Sequence, residues 1–456
     1  MLFKKIIVII LTWEARLVLL RYKPKIVAVT GTVGKTSAKD ALYSVLAGHF
    51  PTRKSHKSFN GEIGVPLTIL GLPNGWNNPF IWLKNLLKGF FLCLPIPLTL
   101  NSKPFPSWLV LEIGADHPGD IERLGKWLAP DAVVVTRLSE VPVHVEFFKS
   151  PKEIIREKGF LVQSLKDSGI LFLNSDDKDI IGMRDLKRNC RLITYGIEQM
   201  SDFQASNIEI TYGKNSHREM PLGITFKVNR NGNSVPINLA GVLGRQHIYP
   251  ALVAVAFGES LGFNLVSMAE SLTTYATAPG RMRVIEGVKK STVIDDTYNS
   301  SPVAVTEALR TLAEIKTPGN PSDQNVAQGA AKILTGRRKI AVLGDMLELG
   351  QYSVKAHEKT GKETVGVANI LVTVGLRARD IAMGALDNGM DEKNIFQFDD
   401  STEAGKFIQE IVKEGDIVLV KGSQGMRMER IVEEIMAEPE RANELLVRQD
   451  KEWLRR

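Results

Sequence analysis

Short, strongly apolar runs alternate with helical and turn-forming segments along most of the chain. The first run, KIVAVT from Lys25, precedes a glycine-rich turn and a helical pattern from about Ser37 to Leu46. Similar runs follow, namely WLVLEIG, AVVVT, GILFLN and RLITYG and, further along, STVIDD, KIAVLGD, ILVTVG and DIVLVKGS. Strands of a parallel sheet have this continuous apolar character because helices bury both of their faces. The pattern therefore predicts an α/β fold with mostly parallel sheets.

Two stretches depart from that alternation. Around Ile208 to Ala240 the residues alternate between apolar and polar with Asn-Gly turns, which predicts a β excursion from the parallel sheet. Residues 317–336 are rich in glycine, proline, asparagine and glutamine, and we predict a flexible loop there.

Two further segments are apolar enough to raise the question of a membrane. Residues 6–13 are apolar, but Glu14 ends the run well before the roughly 20 residues that a spanning helix needs. We therefore predict an amphipathic helix over residues 1–24, and we favour its packing on the protein over contact with a membrane surface. An apolar insert over residues 79–107 is interrupted by prolines, so a buried helical hairpin and a lipid-facing segment both remain open.

Composition narrows the functional classes. Apolar residues make up 44% and charged residues 24% of the 456 positions, which is typical of a globular protein with more than one core. Two cysteines, Cys93 and Cys190, are too few for a thiolate metal site and fit a reducing cytoplasm. The net charge of +7 is spread along the chain without an aromatic and basic RNA-binding motif. We therefore expect no nucleic-acid partner, and we favour anionic small molecules and a membrane surface.

The clearest chemical signal is a glycine-rich loop between the first predicted strand and its helix. In this setting backbone N–H groups and the helix N-terminus bind nucleotide phosphates, Lys35 offsets their charge, and the hydroxyl of Thr36 can bind magnesium. The spacing departs from the usual phosphate loop, since Val29 stands where a glycine is customary. A chance Gly-Lys-Thr on a turn is the alternative, but the context of strand, loop and helix favours phosphate binding. The predicted nucleotide-binding residues of the loop are Gly31, Thr32, Val33, Gly34, Lys35, Thr36 and Ser37.

An acidic residue at a strand end adds a metal ligand to this loop. Glu112 ends the predicted strand LVLEIG, which places its carboxylate at the carboxyl edge of the sheet. A lone glutamate at a strand end is usually solvated. If its strand neighbours the strand before the loop, however, Glu112 and Thr36 together offer the oxygen ligands that magnesium prefers. We therefore predict that ATP and Mg²⁺ bind at this edge.

These features predict two α/β domains after the N-terminal helix. The first, over residues 25–278, is expected to be a P-loop-type ATPase domain with a mostly parallel sheet, the apolar insert and the β excursion. The second, over residues 279–456, is expected to be a Rossmann-like α/β domain that contains the flexible loop. The boundary lies near Pro279-Gly280, just before the strand-like run STVIDD.

Eight segments, in order along the chain, resemble the Mur ligase family. They cover almost all of the chain from Lys25 to about Ile435. The family's phosphate loop departs from the usual spacing in the same way as this one. The matching segments are AVTGTVGKTS, KSFNGEIGVPLTIL, LEIGADHPGDI, His144 with the EKG of Glu157–Gly159, Gly280-Arg281, DDTYNSSP, LGDMLELG and KGSQGMRME.

The resemblance implies roles for residues that the pattern alone leaves open. His144 would help to hold a second magnesium ion. Lys158 would be carbamylated and bridge to the metal region, and a free cationic Lys158 that contacts an acyl phosphate is the alternative. Arg281 and Asp296 would close the C-terminal domain on the nucleotide, with Asn299 in the same loop near ATP. Strand-end capping is the alternative for Asp296.

Other matching residues have less defined chemistry. Asp345, Glu348 and His357 fit the family, although an aspartate after a strand also caps helices. Lys421, Gly422 and Ser423 could receive a carboxylate or phosphate of the substrate at a helix N-terminus.

The resemblance also implies an activity. ATP would activate a muramoyl-peptide precursor as an acyl phosphate, and D-alanyl-D-alanine would then form the amide bond. We expect a monomer in the cytoplasm, with peripheral contact at the inner face of the plasma membrane as a further possibility. One rival interpretation is another ligase of the superfamily, of the folylpolyglutamate or cyanophycin type. The other is a non-catalytic, membrane-associated nucleotide-binding protein, against which the intact loop and metal residues argue.

Two features depart from the family. Its members carry an N-terminal domain that holds the UDP-sugar, whereas about 24 residues precede the first predicted strand here. This difference implies that the nucleotide end of the substrate is held differently or that the acceptor is lipid-linked. In GRQHIYPAL, Gln246, His247 and Pro250 stand where the family has His-Asn and a further Asn. The adenine contacts are therefore expected to differ, and His247 remains a candidate hydrogen-bonding residue for the nucleotide.

Overall fold

The computed structural model describes residues 2–56, 59–94, 105–215, 218–273, 275, 277–316, 337–450 and 453. Within these residues the strands form two sheets, one of nine strands and one of six. The predicted flexible loop at 317–336 and residues 95–104 of the predicted insert lie outside the described residues.

The nine-stranded sheet and the helices on it form what we call the N-terminal unit. Its strands are β1 (Lys25–Thr30), β2 (Thr52–Lys54), β3 (Trp108–Glu112), β4 (Ala132–Val135), β5 (Ile170–Asn174), β6 (Arg191–Gly196), β7 (Phe203–Asn215), β8 (Arg218–Arg230) and β9 (Asn233–Ala240). Its helices are α1 (Leu2–Tyr22), α2 (Lys35–Ala47), α3 (Gly64–Leu70), α4 (Pro79–Cys93), α5 (Asp120–Leu128), α6 (Pro151–Gln163), α7 (Lys178–Ile181), α8 (Ile248–Ser260) and α9 (Leu265–Thr273).

The strands of this sheet lie in the order β2-β3-β1-β4-β5-β6-β7-β8-β9. Pairing is parallel from β2 across to β7 and antiparallel between β7, β8 and β9. The prediction of a mostly parallel sheet with a β excursion is thus confirmed. Because β3 and β4 lie on either side of β1, their carboxyl ends adjoin the loop that follows β1.

The six-stranded sheet and its helices form the C-terminal unit. Its strands are β10 (Arg283–Glu286), β11 (Thr292–Asp296), β12 (Lys339–Gly344), β13 (Ile370–Val374), β14 (Ile395–Phe398) and β15 (Ile417–Lys421), in the order β10-β11-β15-β12-β13-β14. Its helices are α10 (Pro302–Glu314), α11 (Ser353–Thr364), α12 (Arg379–Asp387), α13 (Ser401–Ile411), α14 (Glu429–Ile435) and α15 (Ala442–Leu445). All pairs are parallel except β10 with β11. The predicted domain boundary at 278/279 falls between α9 and β10, and the division into domains remains a prediction.

Alternating side chains of the strands bury both faces of the N-terminal sheet. Along β1, Val27 and Val29 pack into a core with α2 and α8, whereas Ile26 and Ala28 pack into a core with α1, α3, α5 and α6. Two corresponding cores cover the C-terminal sheet. The continuous apolar runs of the sequence follow from this two-sided burial.

The two apolar segments of the sequence pack against each other as α1 and α4. Leu11, Ala15 and Val18 of α1 are fully buried. One face of this helix therefore packs on the protein, as we expected. The described part of the 79–107 insert contains one helix, α4, and the predicted hairpin would extend into residues 95–104, outside the described residues. Among the described residues, no helix combines the length and the apolar character needed to cross a bilayer.

Candidate functional site

The glycine-rich loop after β1 has a backbone conformation that only glycine tolerates at two positions. Gly34 directly precedes α2 with a φ of 87°, and Gly31 has a φ of 142°. A side chain at Gly31 would place its Cβ 2.0 Å from the hydroxyl oxygen of Thr136. The backbone N–H of Thr32 donates to the carbonyl oxygen of Arg137 at 2.7 Å. The loop is therefore supported by the segment that follows β4.

Lys35 begins α2, and its ammonium group lies over the loop. The Nζ atom donates to the carbonyl oxygens of Gly31 at 2.9 Å and of Thr32 at 3.3 Å. Burial lowers the pKa of Lys35, the charge of Glu112 opposes that shift, and the charge of Arg281 adds to it. A desolvated cation at a helix N-terminus is suited to binding phosphate oxygens.

A cluster of polar side chains joins the loop to β3 and to the C-terminal unit. Val29 of β1 lies opposite Glu112 of β3 in the parallel pair, which brings the carboxylate to the loop. The hydroxyl of Thr36 donates to Glu112 at 3.0 Å, and the guanidinium of Arg281 donates to the same hydroxyl oxygen at 3.0 Å. Nζ of Lys39 lies 3.6 Å from the same oxygen of the Glu112 carboxylate. The structure thus brings together three predicted residues from two units.

The Thr36 hydroxyl and the Glu112 carboxylate fit magnesium, which takes few protein oxygens and completes its shell with phosphate and water. Among the described residues, no three histidine, cysteine, aspartate or glutamate side chains form a protein-only metal cluster. His144, the third predicted metal ligand, lines the same cavity. Its Nδ1 lies 2.6 Å from a carboxylate oxygen of Glu348, and its Nε2 lies 3.6 Å from one of Asp116.

The side chains of His144 and Glu348 join the two units, and both residues have an unusual backbone conformation. His144 has a φ of 70° and Glu348 a φ of 63°, in the left-handed region that non-glycine residues rarely adopt. The hydrogen bond from His144 holds the pKa of Glu348 below its usual value. Strained residues of this kind concentrate at functional sites, because the surrounding structure must maintain them.

Lys158 is a buried amine on α6, with 4% of its surface exposed. Burial lowers the pKa of Lys158 to about 7, and the nearby charge of Lys35 lowers it as well. Its neighbour Glu157 has a different role. The Glu157 carboxylate accepts hydrogen bonds from the backbone N–H groups of Gly119 at 2.9 Å and Ile121 at 2.7 Å, and so caps the start of α5. Of these two neighbours, Lys158 is therefore the one whose pKa favours a reactive, uncharged amine near neutral pH.

The two aspartates that end β11 differ in their surroundings. Asp296 forms a buried ion pair with Lys421, with 2.7 Å between the oxygen and Nζ, and Lys421 also donates to the backbone carbonyl of Asn299 at 2.9 Å. Asp295 is completely buried and accepts the hydroxyl hydrogen bond of Thr297. Asp296 lines the cavity, whereas the role of Asp295 is to hold the strand end.

A cavity of about 400 Å³ lies where the two units meet. It is lined by the following predicted residues: Thr32, Val33, Gly34, Lys35, Thr36, Ser37, Glu112, His144, His247, Arg281, Asp296, Asn299 and Lys421. Of the predicted nucleotide-binding, metal-binding and catalytic residues, Gly31 and Lys158 are absent from this lining. Both are near Lys35, since the Gly31 carbonyl accepts the hydrogen bond of Lys35 and the charges of Lys158 and Lys35 interact.

Several buried polar atoms of this lining have no hydrogen-bond partner among the described residues. They are the Thr32 and Ser300 hydroxyls, Oε1 of Gln246 and Nε of Arg281. Burial lowers the pKa of His247 to about 4, so its neutral ring offers one donor and one acceptor. Because buried polar groups are nearly always paired, these atoms indicate a polar ligand.

Three residues that the family resemblance singled out support the C-terminal unit instead. Asp345 accepts the backbone N–H of Ala378 at 2.7 Å, just before α12. The ring of His357 accepts the backbone N–H of Met346 at 2.9 Å, and its other nitrogen lies 2.8 Å from the Ser353 carbonyl oxygen. The hydroxyl of Ser423 accepts the backbone N–H of Leu347 at 2.9 Å. Helix capping, the alternative raised for Asp345, is what the structure shows.

Sequence reasoning missed other residues of the site. Asn60 and Asp116 line the cavity, and an ion pair of 2.9 Å between Arg137 and Glu307 joins the two units beside it. The first two lie inside segments that resembled the family, so their position was a usable signal. Arg137 directly follows the apolar run of β4, but nothing local identifies its partner on α10.

Fold and cavity together define a class of protein. A phosphate-binding loop between β1 and α2, an acid at the end of the adjacent strand and a second α/β unit above the loop are the parts of an ATP-dependent enzyme. Two family models match the chain, the Mur ligase middle domain over residues 96–258 and the Mur ligase glutamate ligase domain over residues 320–424. The chain belongs to the Mur ligase family of ATP-dependent, ADP-forming ligases.

Individual relatives show which member of the family this chain is similar to. The UDP-N-acetylmuramoyl-tripeptide–D-alanyl-D-alanine ligase of Bacillus subtilis is 25% identical over 416 residues, which span 91% of this chain and 76% of the relative. The Escherichia coli enzyme of the same name is 27% identical over 413 residues, with 90% and 76% covered. The MurF ligase of Thermotoga maritima in complex with ADP superposes with a TM-score of 0.72 at 24% identity, over 95% of this chain and 84% of that one. This superposition confirms the fold.

Proposed function

We propose that this chain forms an amide bond between a muramoyl-peptide and D-alanyl-D-alanine at the expense of ATP. The observation that carries the proposal is the cavity between the units, where the phosphate loop, Glu112 and unpaired polar atoms from both units face one space. The relatives from Bacillus subtilis and Escherichia coli supply the pair of substrates, since their names specify a muramoyl-tripeptide and D-alanyl-D-alanine.

The proposed reaction has two steps. A carboxylate oxygen of the muramoyl-peptide attacks the γ-phosphorus of ATP, the bond to the bridging oxygen breaks, and ADP and an acyl phosphate form. The amine of D-alanyl-D-alanine then attacks the acyl carbon. The amide bond forms as the bond from the acyl carbon to the phosphate oxygen breaks and the nitrogen loses a proton. The products are the amide, ADP and inorganic phosphate.

The nucleotide is proposed to bind across both units. The loop from Gly31 to Ser37 would receive its phosphates, because Thr32 to Ser37 line one end of the cavity at the N-terminus of α2. Asp296 and Asn299 would contact the ribose side, and the neutral ring of His247 would hydrogen-bond the base. The guanidinium of Arg281, 3.0 Å from the Thr36 hydroxyl, would contact phosphate from the C-terminal unit.

Magnesium is proposed to bind at Thr36 and Glu112, whose oxygen atoms are 3.0 Å apart beside the loop. His144 would contribute to a second ion. When bound, the ions would supply positive charge that offsets the negative charge of the phosphates and the approaching carboxylate. The protein's own part is to hold these oxygens at the loop and, by bringing its units together, to exclude water that would hydrolyse an acyl phosphate.

Lys158 is proposed to be carbamylated. A pKa of about 7 leaves a large fraction of the amine uncharged at neutral pH, and the uncharged amine is the form that reacts with carbon dioxide. The product is an anion with two oxygens, which suits a region that contains Lys35 and metal ions. A free, cationic Lys158 that contacts the acyl phosphate is the alternative.

The substrates are tested by phosphate release. We expect purified protein with ATP and Mg²⁺ to release phosphate only when a muramoyl-tripeptide and D-alanyl-D-alanine are both present, with equal amounts of ADP and amide product. Omission of either substrate is the control. Phosphate release that depends on folate or on another amino acid would assign different substrates to the enzyme. No release with any acceptor would contradict catalysis.

The metal site is tested by Glu112→Gln, which keeps the side-chain shape and removes its charge. We expect the Mg²⁺ concentration for half-maximal phosphate release to rise about tenfold or more, because the ion loses an anionic ligand. Glu122→Gln, at a partly exposed glutamate on α5, is the matched control and should leave that concentration unchanged. An unaltered Mg²⁺ dependence in Glu112→Gln would remove Glu112 from the site.

We also propose that the enzyme works as a monomer in the cytoplasm, in peripheral contact with the inner face of the plasma membrane. The supply of ATP and the two unpaired cysteines, Cys93 and Cys190, support the cytoplasm. The apolar outward residues of α1 and α4 support the peripheral contact.

A further inference from the structure

Exposed apolar side chains are concentrated on one pair of helices. Twenty large apolar residues of the described chain are exposed, and ten of them lie on α1, on α4 or in the turn before α4. These ten, which we call the α1–α4 surface, are Ile6, Ile9, Trp13, Leu20, Trp76, Phe80, Leu83, Leu87, Phe90 and Phe91. Half of the exposed apolar residues thus occupy a small part of the chain, which makes this part a candidate binding surface.

Each helix has a buried face and an exposed apolar face on opposite sides. On α1 the exposed residues Ile6, Ile9, Trp13 and Leu20 follow helical spacing, and the buried residues between them, such as Leu11, face the protein core. On α4 the buried residues are Trp82, Asn85 and Gly89, and the exposed phenylalanines and leucines lie on the other side. The outward faces therefore have no role in the core.

The two helices are fixed to each other, so their outward faces belong to one part of the surface. Glu14 of α1 packs directly on Gly89 of α4, where an added Cβ would lie 2.0 Å from the carboxylate. The guanidinium of Arg21 donates to the carbonyl oxygen of Leu92 at 3.1 Å, and the thiol of Cys93 donates to the Glu14 carbonyl.

The charges around these faces are positive. Lys5 and Arg16 on α1 and Lys84 and Lys88 on α4 are exposed. Glu14 is the one acidic residue in the sequences of the two helices, and it is 2% exposed. Burial raises the pKa of Glu14 to about 7, so this carboxyl offsets little of the positive charge. Apolar and aromatic faces bordered by lysine and arginine are typical of helices that lie in the headgroup region of a bilayer.

We infer that the α1–α4 surface docks on a bilayer that contains anionic phospholipid. Its aromatic and aliphatic side chains would enter the headgroup region while Lys5, Arg16, Lys84 and Lys88 contact lipid phosphates. A second copy of the chain fits less well, because a symmetric contact would bring these cations together without an exposed carboxylate from either helix. The inference rests on the proposed peripheral location and is independent of the proposed reaction.

Vesicle sedimentation tests the lipid class. We expect the full chain to sediment with vesicles of phosphatidylglycerol and phosphatidylcholine in equal parts, and about tenfold or more weakly with phosphatidylcholine alone. High salt should weaken the first association. No sedimentation with either vesicle, or equal sedimentation with both, would overturn the inference.

Two pairs of variants test the surface itself. Leu20→Ser with Phe80→Ser should weaken vesicle binding about tenfold or more, whereas Leu376→Ser with Met200→Ser, at equally exposed apolar positions elsewhere, should not. Lys84→Glu with Lys88→Glu should weaken it similarly, whereas Lys355→Glu with Lys359→Glu, at the same spacing on α11, should not. Equal effects in the surface and control variants would overturn the inference.

Two further readouts separate the alternatives. Phosphate release by Leu20→Ser with Phe80→Ser, measured on soluble substrates, should equal that of the unmodified chain, so that failed docking and failed catalysis are distinguishable. Sedimentation velocity without vesicles should show a monomer. A dimer that disappears in this variant would overturn the inference and assign the surface to a second copy of the chain.

Discussion

Replacement of Lys35 by alanine is expected to lower the rate of ADP formation about a thousandfold or more. The ammonium group is held against the loop carbonyls of Gly31 and Thr32, so it already lies where phosphate charge is proposed to gather. Alanine removes the cation that the loop itself supplies, in a largely desolvated cavity where electrostatic effects are strong. The measurement is the initial rate of ADP formation at saturating substrates.

The control for this variant is Lys126→Ala, which removes a lysine that is 69% exposed on α5. It should retain the rate of the unmodified chain. Thermal unfolding of Lys35→Ala should show an intact fold, so that a lost rate is not a lost structure. Full ATP turnover in a folded Lys35→Ala protein would contradict the assignment of the phosphate loop.

Lys158→Met is expected to change activity and stability in opposite directions. The amide-forming rate should fall about a hundredfold or more, because methionine can neither carry a carbamate nor donate to an acyl phosphate. The free energy of unfolding should rise by on the order of a few kcal/mol at pH 6, because the variant no longer buries a charged amine. Urea unfolding in buffers free of carbon dioxide measures the second effect.

The pH dependence of that gain follows from the pKa of Lys158, about 7 in the folded chain against an ordinary 10.5. Below pH 7 the amine is protonated in both states, and folding carries the whole cost of burying its charge. Between pH 7 and 10.5 the folded amine is neutral while the unfolded one binds a proton, so stability rises with pH and the cost declines. The advantage of Lys158→Met should therefore be greatest below pH 7 and vanish near pH 10.5.

Lys152→Met, at an exposed lysine on the same helix, is the matched control and should change neither property. A Lys158→Met protein with full activity would exclude a catalytic role for the amine. A variant whose stability gain does not depend on pH would show that the gain comes from packing rather than from charge.

The part of the site that local sequence could predict is the part made by adjacent strand ends. Glu112 and Thr36 were expected together because parallel strands end at one edge, and β3 does lie beside β1. The loop glycines follow from the same reasoning, since the turn from β1 into α2 requires left-handed backbone at Gly34. The alternation of apolar runs likewise predicted the two sheets.

Contacts between the units could not be predicted in that way. The hydrogen bond between His144 and Glu348 and the ion pair between Arg137 and Glu307 join residues far apart in sequence, and no local pattern pairs them. The contact of His144 with Glu348 was not expected, and its implied metal role stays a prediction. The packing of α4 on α1 could not be predicted from local sequence either, because α1 ends at Tyr22 and α4 begins only at Pro79.

The hydrogen bond from Arg281 to the Thr36 hydroxyl couples nucleotide exchange to the contact between the two units. The guanidinium crosses from the C-terminal unit into the space that triphosphate and metal are proposed to share, so a ligand that takes the Thr36 hydroxyl must break this hydrogen bond. We expect separation of the units to withdraw Arg281 from the site, and the dissociation rate of ADP is the measurement that would follow such an opening.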